Sequence, residues 1–508
     1  MKYLLGLLLS LTLCSASQAQ VRQNAVREQI DKAIAQIRAG QYVSASDRLL
    51  NLSNSADAQA QRPRIKYLLG VALMELSLNQ TAAFQFVDVI RSGDAAWTKP
   101  AIEKLLVATD KLGDETLLNF AIQRVEISQI PEANREMLYF RLADIKQKEG
   151  QREEAVQYYK RISEKSRYYY SALYNMGLAQ TELNQTDAAL QTFQKLLASR
   201  SSARANDTNR VAAQLAVARI YYQKKDWARS IDAYSKIPRD HVLWHSALFE
   251  STWAMLRSAR FRSTLSNFQS LHSSYYEDNY LPETLLLRSI VYLYICQYDE
   301  MEKVLSLYDS QYGPALKRVS AFLDKAEMDQ YFLEVNKGLQ IKNKPAQKSM
   351  GAVALPYNVV KYILAEGDVR RTTAYMKKVI DEKRIVDNNA QIRSSTVGQY
   401  AGRLLNNRIN STRGVVAALA KKHLTDIRTE LTDLTEQAGF IRYEMINGKK
   451  EQLKRRIEGK AVKKNLASDE TKDREFYIEN GYQYYPFQGE YWLDEVGNYH
   501  YLGKQSCE

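Results

Sequence analysis

His241 and His245 are the first residues whose spacing could do chemistry. Four apart, they would share one helix face and supply half of a zinc site. No third ligand follows at a recognisable spacing, and Trp244 beside them suits ordinary packing. His272, His423 and His500 stand alone. The chain has no G-x-S-x-G, no phosphate-binding glycine loop, no H-E-x-x-H and no calcium-loop pattern. Its carboxylates are spread along helix faces rather than paired for acid–base work. The expectation is a protein with no catalytic residues, no cofactor and no metal.

The cysteines are the other reactive side chains. Cys14 lies in an amino-terminal stretch with Lys2, an apolar run from Tyr3 to Leu13, and small residues at Ser17 and Ala19. That order reads as a Sec-type signal over 1–19, cut between Ala19 and Gln20, and places the mature chain in the periplasm. The run is too short to span a membrane. Lipoprotein processing at Cys14 is the alternative, with Leu13 standing where a small side chain is preferred. Cleavage leaves Cys296 and Cys507. An even count in an oxidising compartment predicts a bridge between them, against two free thiols or an intermolecular link.

These residues sit on elements that repeat. Ala143 and Gly177, Gly150 and Asn184, Ala155 and Ala189, Tyr159 and Phe193, and Ile162 and Leu196 all keep one step of 34 residues. A period of that length predicts stacked helix–turn–helix units, in which small residues let two helices approach and an aromatic fills the gap to the neighbouring unit. Gly70, Ala82 and Phe86 fit the same scheme upstream, and Ala218, Ser230, Tyr234 and Phe268 fit it downstream. In both the pattern and these residues the chain resembles the tetratricopeptide-repeat (TPR) family. That resemblance implies an α-solenoid that binds other proteins.

The boundaries read as follows. About eight units occupy 20–315, strongest at 63–96, 136–203 and 211–278, with the last ending near Gly313 and Pro314. Further helical pairs fill 316–412, broken into short pieces by Asn388, Asn389, Asn406, Asn407 and Asn410. From 413 to 465 Leu424, Ile427, Leu431, Leu434, Ala438, Ile441 and Met445 alternate steps of three and four, a coiled-coil-like seam on a long helix with a basic end. The seam could lie back on the solenoid, self-associate through 415–445, or pair with another protein's helix. The aromatic tail, 466–508, predicts a β-hairpin with strands at Glu490–Leu493 and Tyr499–Leu502. Its block YPFxGEYWxDExG resembles a terminal segment of some envelope TPR proteins from gliding and predatory bacteria. The fold class expected is therefore all-α, a solenoid followed by a long helix and a small hairpin.

The formal net charge is +13 over 508 residues. In an exported chain this argues for anionic lipid, glycan or acidic protein as counter-surface, and against nucleic acid. The function expected is a periplasmic scaffold for an envelope complex, its groove lined by helix-A residues such as Arg141, Lys146, Asn175 and Arg219. Two rival readings are a structural subunit of a motility or secretion machine and a module that grips peptidoglycan or membrane surface.

Overall fold

The computed structural model describes residues 22–114, 116–123, 132–199, 208–276, 278–341, 354–460, 479, 495–503 and 507. The signal region with Cys14, Ala19 and Gln20, and the predicted strand at Glu490–Leu493, lie outside the described residues. Every regular element described is helical. Consecutive helices form hairpins: α1 (22–38) with α2 (Tyr42–Ser53), α3 (Arg62–Glu75) with α4 (Asn79–Ser92), α5 (Thr98–Leu112) with α6 (Thr116–Ile122), and α7 (Arg135–Lys148) with α8 (Arg152–Lys160). They continue with α9 (Tyr169–Glu182) and α10 (Thr186–Ala198), α11 (Thr208–Gln223) and α12 (Trp227–Ser235), α13 (Trp244–Arg257) and α14 (Phe261–Leu271), and α15 (Pro282–Tyr294) and α16 (Tyr298–Lys325).

One turn closes seven of these hairpins. At Gly40, Ser77, Gly150, Asn184, Lys225, Ala259 and Cys296 φ is positive, between 56° and 82°. Each time the next residue's N–H donates to the carbonyl five residues back at 2.8–2.9 Å, as Leu78 does to Leu73 and Gln185 to Gln180. This is the Schellman closure, which satisfies the orphan carbonyls of the first helix and starts the second one residue later.

Inside the hairpins the small residues do what their size allows. A Cβ built on Gly70 would meet Phe86 Cε1 at 2.6 Å, and one on Gly177 would meet Phe193 Cε1 at 2.6 Å. Two repeats thus make the same ring-on-backbone contact. Ala82, Ala143, Ala155, Ala189 and Ala218 are fully buried, as are Phe86, Phe193 and Phe268. Ser230 is buried too, its hydroxyl donating to the Ala218 carbonyl at 2.9 Å. Tyr159 and Tyr234 are buried rings whose hydroxyls reach Gln147 Oε1 at 3.2 Å and Glu250 Oε2 at 3.1 Å.

The chain divides into two compact units. The first holds α1–α8, then α19 (Gly367–Asn388), α20 (Ala390–Ser394) and the start of α21 (Thr396–Ile457), to Val416. Its core joins Leu69, Phe86 and Ile102 to Tyr375, Val379, Val397, Ala401 and Leu405. The returning helices are pinned by buried polar contacts. Glu382 Oε1 accepts from the Gln80 N–H at 2.7 Å, Tyr375 donates to Gln80 Oε1 at 2.7 Å, and Asp47 accepts from the Val397 N–H at 2.6 Å.

The second unit holds α9–α16, α17 (Met328–Gln340), α18 (Tyr357–Ala365), α21 from Ala417 and the tail. Within it Leu424, Ile427, Leu431, Leu434, Ala438 and Met445 are buried, and Ile441 is half-buried. Thr435, Arg442 and Lys449 hold α21 to α16, through Tyr308 at 3.2 Å, Asp309 at 2.8 Å and Asp299 at 3.1 Å. The seam is therefore spent inside the chain. Self-association through 415–445 is corrected accordingly: it would have to expose Leu431, which is wholly buried.

Three other expectations change. The last repeat does not end at Gly313 and Pro314, because α16 runs through to Lys325. Tyr308, Tyr312, Ala315 and Val319 are buried at helical spacing on both sides of the proline, and their packing outweighs the roughly 3 kcal/mol a mid-helix proline costs. Asn406, Asn407 and Asn410 do not break the chain either. They lie within α21, whose Val397, Ala401, Leu405, Thr412 and Val416 form a buried stripe. Asn389 does mark a break, capping α20 by accepting from the Gln391 and Ile392 N–H groups.

The predicted β-hairpin is the third correction. No strand occurs among the described residues, and Tyr499–Leu502 pairs with no ladder. Its backbone donors go to α14 instead: the Gly497 N–H to Ser270 Oγ at 2.7 Å and the Tyr501 N–H to Ser266 Oγ at 2.9 Å. Only the turn survives, with the Asn498 N–H on the Glu495 carbonyl at 2.7 Å. Cys507 is disulfide-bonded to Cys296, with Cα atoms 4.9 Å apart. Among the described residues no helix is long and apolar enough to cross a membrane.

Candidate interaction surface

The first helices of the hairpins in the second unit, α9, α11, α13 and α15, bury one side and leave another partly open. Arg219 marks the open side: it sits just after the buried Ala218 and is exposed. Its guanidinium grips Glu250 of α13 with both arms, Nε to Oε2 at 2.7 Å and Nη2 to Oε1 at 2.6 Å. A forked pair of this kind fixes geometry as well as charge. Glu250 also accepts from Tyr234, whose hydroxyl pKa is raised by burial and by that carboxylate. Tyr174 of α9 lies close enough to feel the Arg219 charge, although burial still raises its own pKa.

The positions equivalent to Arg219 in the neighbouring repeats are apolar. Leu178, Trp253 and Ile290 follow Gly177, Thr252 and Ser289 as Arg219 follows Ala218, and all three are half-buried. So are Tyr222, Phe249 and Leu256 on the same helices. Tyr222 is held edge-on against Trp227 at 5.1 Å between ring centroids. The surface is thus a strip of partly open aromatic and aliphatic side chains around one forked ion pair. Nothing in it is arranged to move a proton or hold a metal. It is suited to burying an apolar partner segment while Arg219 and Glu250 set register.

The other residues predicted to line a groove fall elsewhere. Arg141 is buried, its guanidinium over the Phe140 ring at 5.4 Å, so it is a packing residue and not an open contact. Lys146 is spent at its own hairpin turn on Gln151 at 2.6 Å, Glu154 at 3.4 Å and Glu149 at 3.7 Å. Asn175 is half-buried two positions before Gly177, off the line that Arg219 defines. The strip's aromatics were missed in the sequence because each looked like one more core residue. The signal was present: Trp253 lies 34 residues after Arg219.

His241 and His245 are occupied locally. His241 Nδ1 accepts from the Leu243 N–H at 3.1 Å, and the His245 ring lies against Tyr276, its pKa lowered by burial. Among the described residues no acidic, cysteine or histidine ligand joins them in a metal-holding cluster.

A molecule built of such hairpins is an α-helical repeat protein. Residues 138–164 and 171–201 each match a family model described as Tetratricopeptide repeat, so the chain carries tetratricopeptide repeats there. Among solved structures it is similar to a tetratricopeptide repeat protein from Parabacteroides merdae, at 18% identity and a TM-score of 0.24, covering 56% of this chain and 93% of that one. It is also similar to the P58(IPK) TPR domain, at 14% identity and a TM-score of 0.18, covering 76% and 99%. The Cut9–Hcn1 tetramer of APC/C aligns at 12% identity and a TM-score of 0.19, covering 81% and 90%. No curated protein matches the chain.

Proposed function

We propose that this protein is a non-enzymatic scaffold, exported to the periplasm, that holds partner proteins together in a bacterial envelope complex. The repeat family supports protein binding as its work. The observation that carries the reading is the half-open strip of Leu178, Tyr222, Phe249, Trp253 and Ile290 around the Arg219–Glu250 pair. An extended segment or a helix of a partner would bury its apolar side chains there. The export signal read over 1–19 supports the compartment, and the Cys296–Cys507 bridge is chemistry that an oxidising compartment maintains.

A photo-crosslinking residue placed at Trp253 in living cells tests the surface, with Val242, 76% exposed in the α12–α13 connection, as the control position. The same envelope protein should be captured from Trp253 and not from Val242, and lost when Arg219 and Glu250 are both changed to Ala. Equal capture from both positions would refute the assignment of this face. Export is tested separately by fractionation and by sequencing the amino terminus, which should begin at Gln20.

A further inference from the structure

The end of α21 carries a second face that the repeats do not use. Phe440, Tyr443, Ile446, Leu453 and Ile457 are 72, 62, 57, 60 and 79% exposed. Through Lys450 they follow one another at steps of three, three, four, three and four, which keeps them on one side of a helix. The seam that packs on α16 is a different side, since Leu434, Ala438 and Met445 are buried. Beyond Gln452 every residue to Lys460 is exposed, so the last turns project from the packed body of the unit.

The charges around this stripe are mostly basic. From Phe440 to Lys460 there are seven basic residues and three acidic ones. Arg442 and Lys449 are tied to Asp309 and Asp299 of α16, and Lys460 to Glu458. Lys450, Lys454, Arg455 and Arg456 make no ion pair among the described residues. Glu444, Glu451 and Glu458 step by seven, on the Phe440 edge of the stripe and away from Ile446 and Leu453.

We propose that this stripe is a docking face for an anionic lipid surface. An apolar line about 26 Å long can lie flat at the boundary between headgroups and acyl chains, at 1.5 Å per residue. Lysine and arginine stems run alongside such a line and deliver their charges to lipid phosphates. A second copy of the chain fits less well. Paired antiparallel, the stripes would bring Lys450 near Lys450, and paired in parallel every cation would meet its own kind. The proposal does not depend on the strip around Arg219, which lies on other helices and would remain free for a protein.

Vesicle sedimentation of the purified chain tests this, comparing phosphatidylcholine alone with phosphatidylcholine containing phosphatidylglycerol. Binding is expected only to the anionic vesicles, with loss at high salt. The pair Ile446→Asp and Leu453→Asp, and separately the pair Lys450→Glu and Lys454→Glu, should each weaken binding about tenfold or more. All four side chains are exposed, so helicity by circular dichroism should not change. Three results would overturn the proposal: equal binding to both vesicle types, undiminished binding by either variant, or a soluble oligomer that Leu453→Asp dissociates. The Trp253 crosslinking result is independent of all three.

Discussion

At the scale of single residues, a glycine under a ring and a glycine facing open space make opposite predictions, although they look alike in sequence. Gly177→Ala drives a methyl into Phe193, which is wholly buried, so it should destabilise by about 1–3 kcal/mol. Gly402→Ala in α21 meets nothing within 4 Å and should stabilise by roughly 0.5–1 kcal/mol through helix propensity alone. Thermal unfolding of the two variants should therefore shift in opposite directions. Glu382 offers a prediction in pH. Burial pushes its carboxyl up to about 8 from 4.5, against the N–H groups of Gln80, Thr81 and Asn79, which pull it down. The folded state then holds a proton that the unfolded chain releases, so this residue's contribution is full below pH 4.5 and is lost as pH rises through 8. Glu382→Gln keeps an acceptor for the Gln80 N–H and should flatten that part of the pH–stability curve; an unchanged slope would count against the assignment. The hairpin turns show what sequence could and could not disclose at this scale. Gly40, Gly150 and Asn184 announce themselves because these residue types tolerate positive φ. Ser77, Lys225, Ala259 and Cys296 occupy the same conformation with no such preference, since packing of the helix pair imposes it on whatever residue stands there.

At the scale of elements, periodicity was a good guide wherever one face of a helix was buried, and a poor guide to where helices stop. The 34-residue step located Ala143, Ala155, Gly177 and Ala189 because small side chains at the crossing are a local demand. The ends of α16 and α21 answer to a non-local one. Pro314 and the asparagines at 406, 407 and 410 carry local signals for a break, yet Tyr312, Val319, Leu405 and Val416 are buried around them. The tail misled for a related reason. Alternating aromatics resemble a strand when no partner is in view, but Ser266 and Ser270 of α14 take the donors a strand would have offered. The seam of α21 was legible as a seam and ambiguous as to its partner, because the same heptads serve a neighbouring helix of the same chain or of another. Leu431→Asp separates the two. Leu431 is wholly buried in the unit that contains α16, and Thr435 one turn on bonds Tyr308. Burying a carboxylate there should cost about 3 kcal/mol or more. Sedimentation of the folded variant under mild conditions should nevertheless match that of the parent chain. A parent oligomer that the variant dissociates would instead restore association through the seam.

At the scale of the whole molecule, one covalent link joins positions 211 residues apart. Among its described residues the tail that carries Cys507 also makes hydrogen bonds, the Gly497 and Tyr501 N–H groups on two serines and the Arg239 guanidinium on Asn498. Hydrogen bonds of this sort contribute about 1 kcal/mol each. Closing a loop of this length removes about 5 kcal/mol of unfolded-state entropy in the chain-entropy model, an upper figure where the unfolded chain retains structure. The bridge should therefore anchor the tail more strongly than any one of these hydrogen bonds, which orient what it tethers. Reduction, or Cys296→Ser, is expected to lower the unfolding temperature and to make the stretch 495–503 more readily cleaved by protease. Cys296→Ser has a further use, since Ser at the positive-φ turn position already occurs at Ser77 and should leave the hairpin turn itself intact. Thiol labelling of the non-reduced, denatured chain checks the starting point, and two reactive cysteines there would remove the anchor from the account. If labelling finds none and reduction still leaves both the unfolding temperature and the cleavage pattern unchanged, the tail is held by its aromatic side chains rather than by the bond.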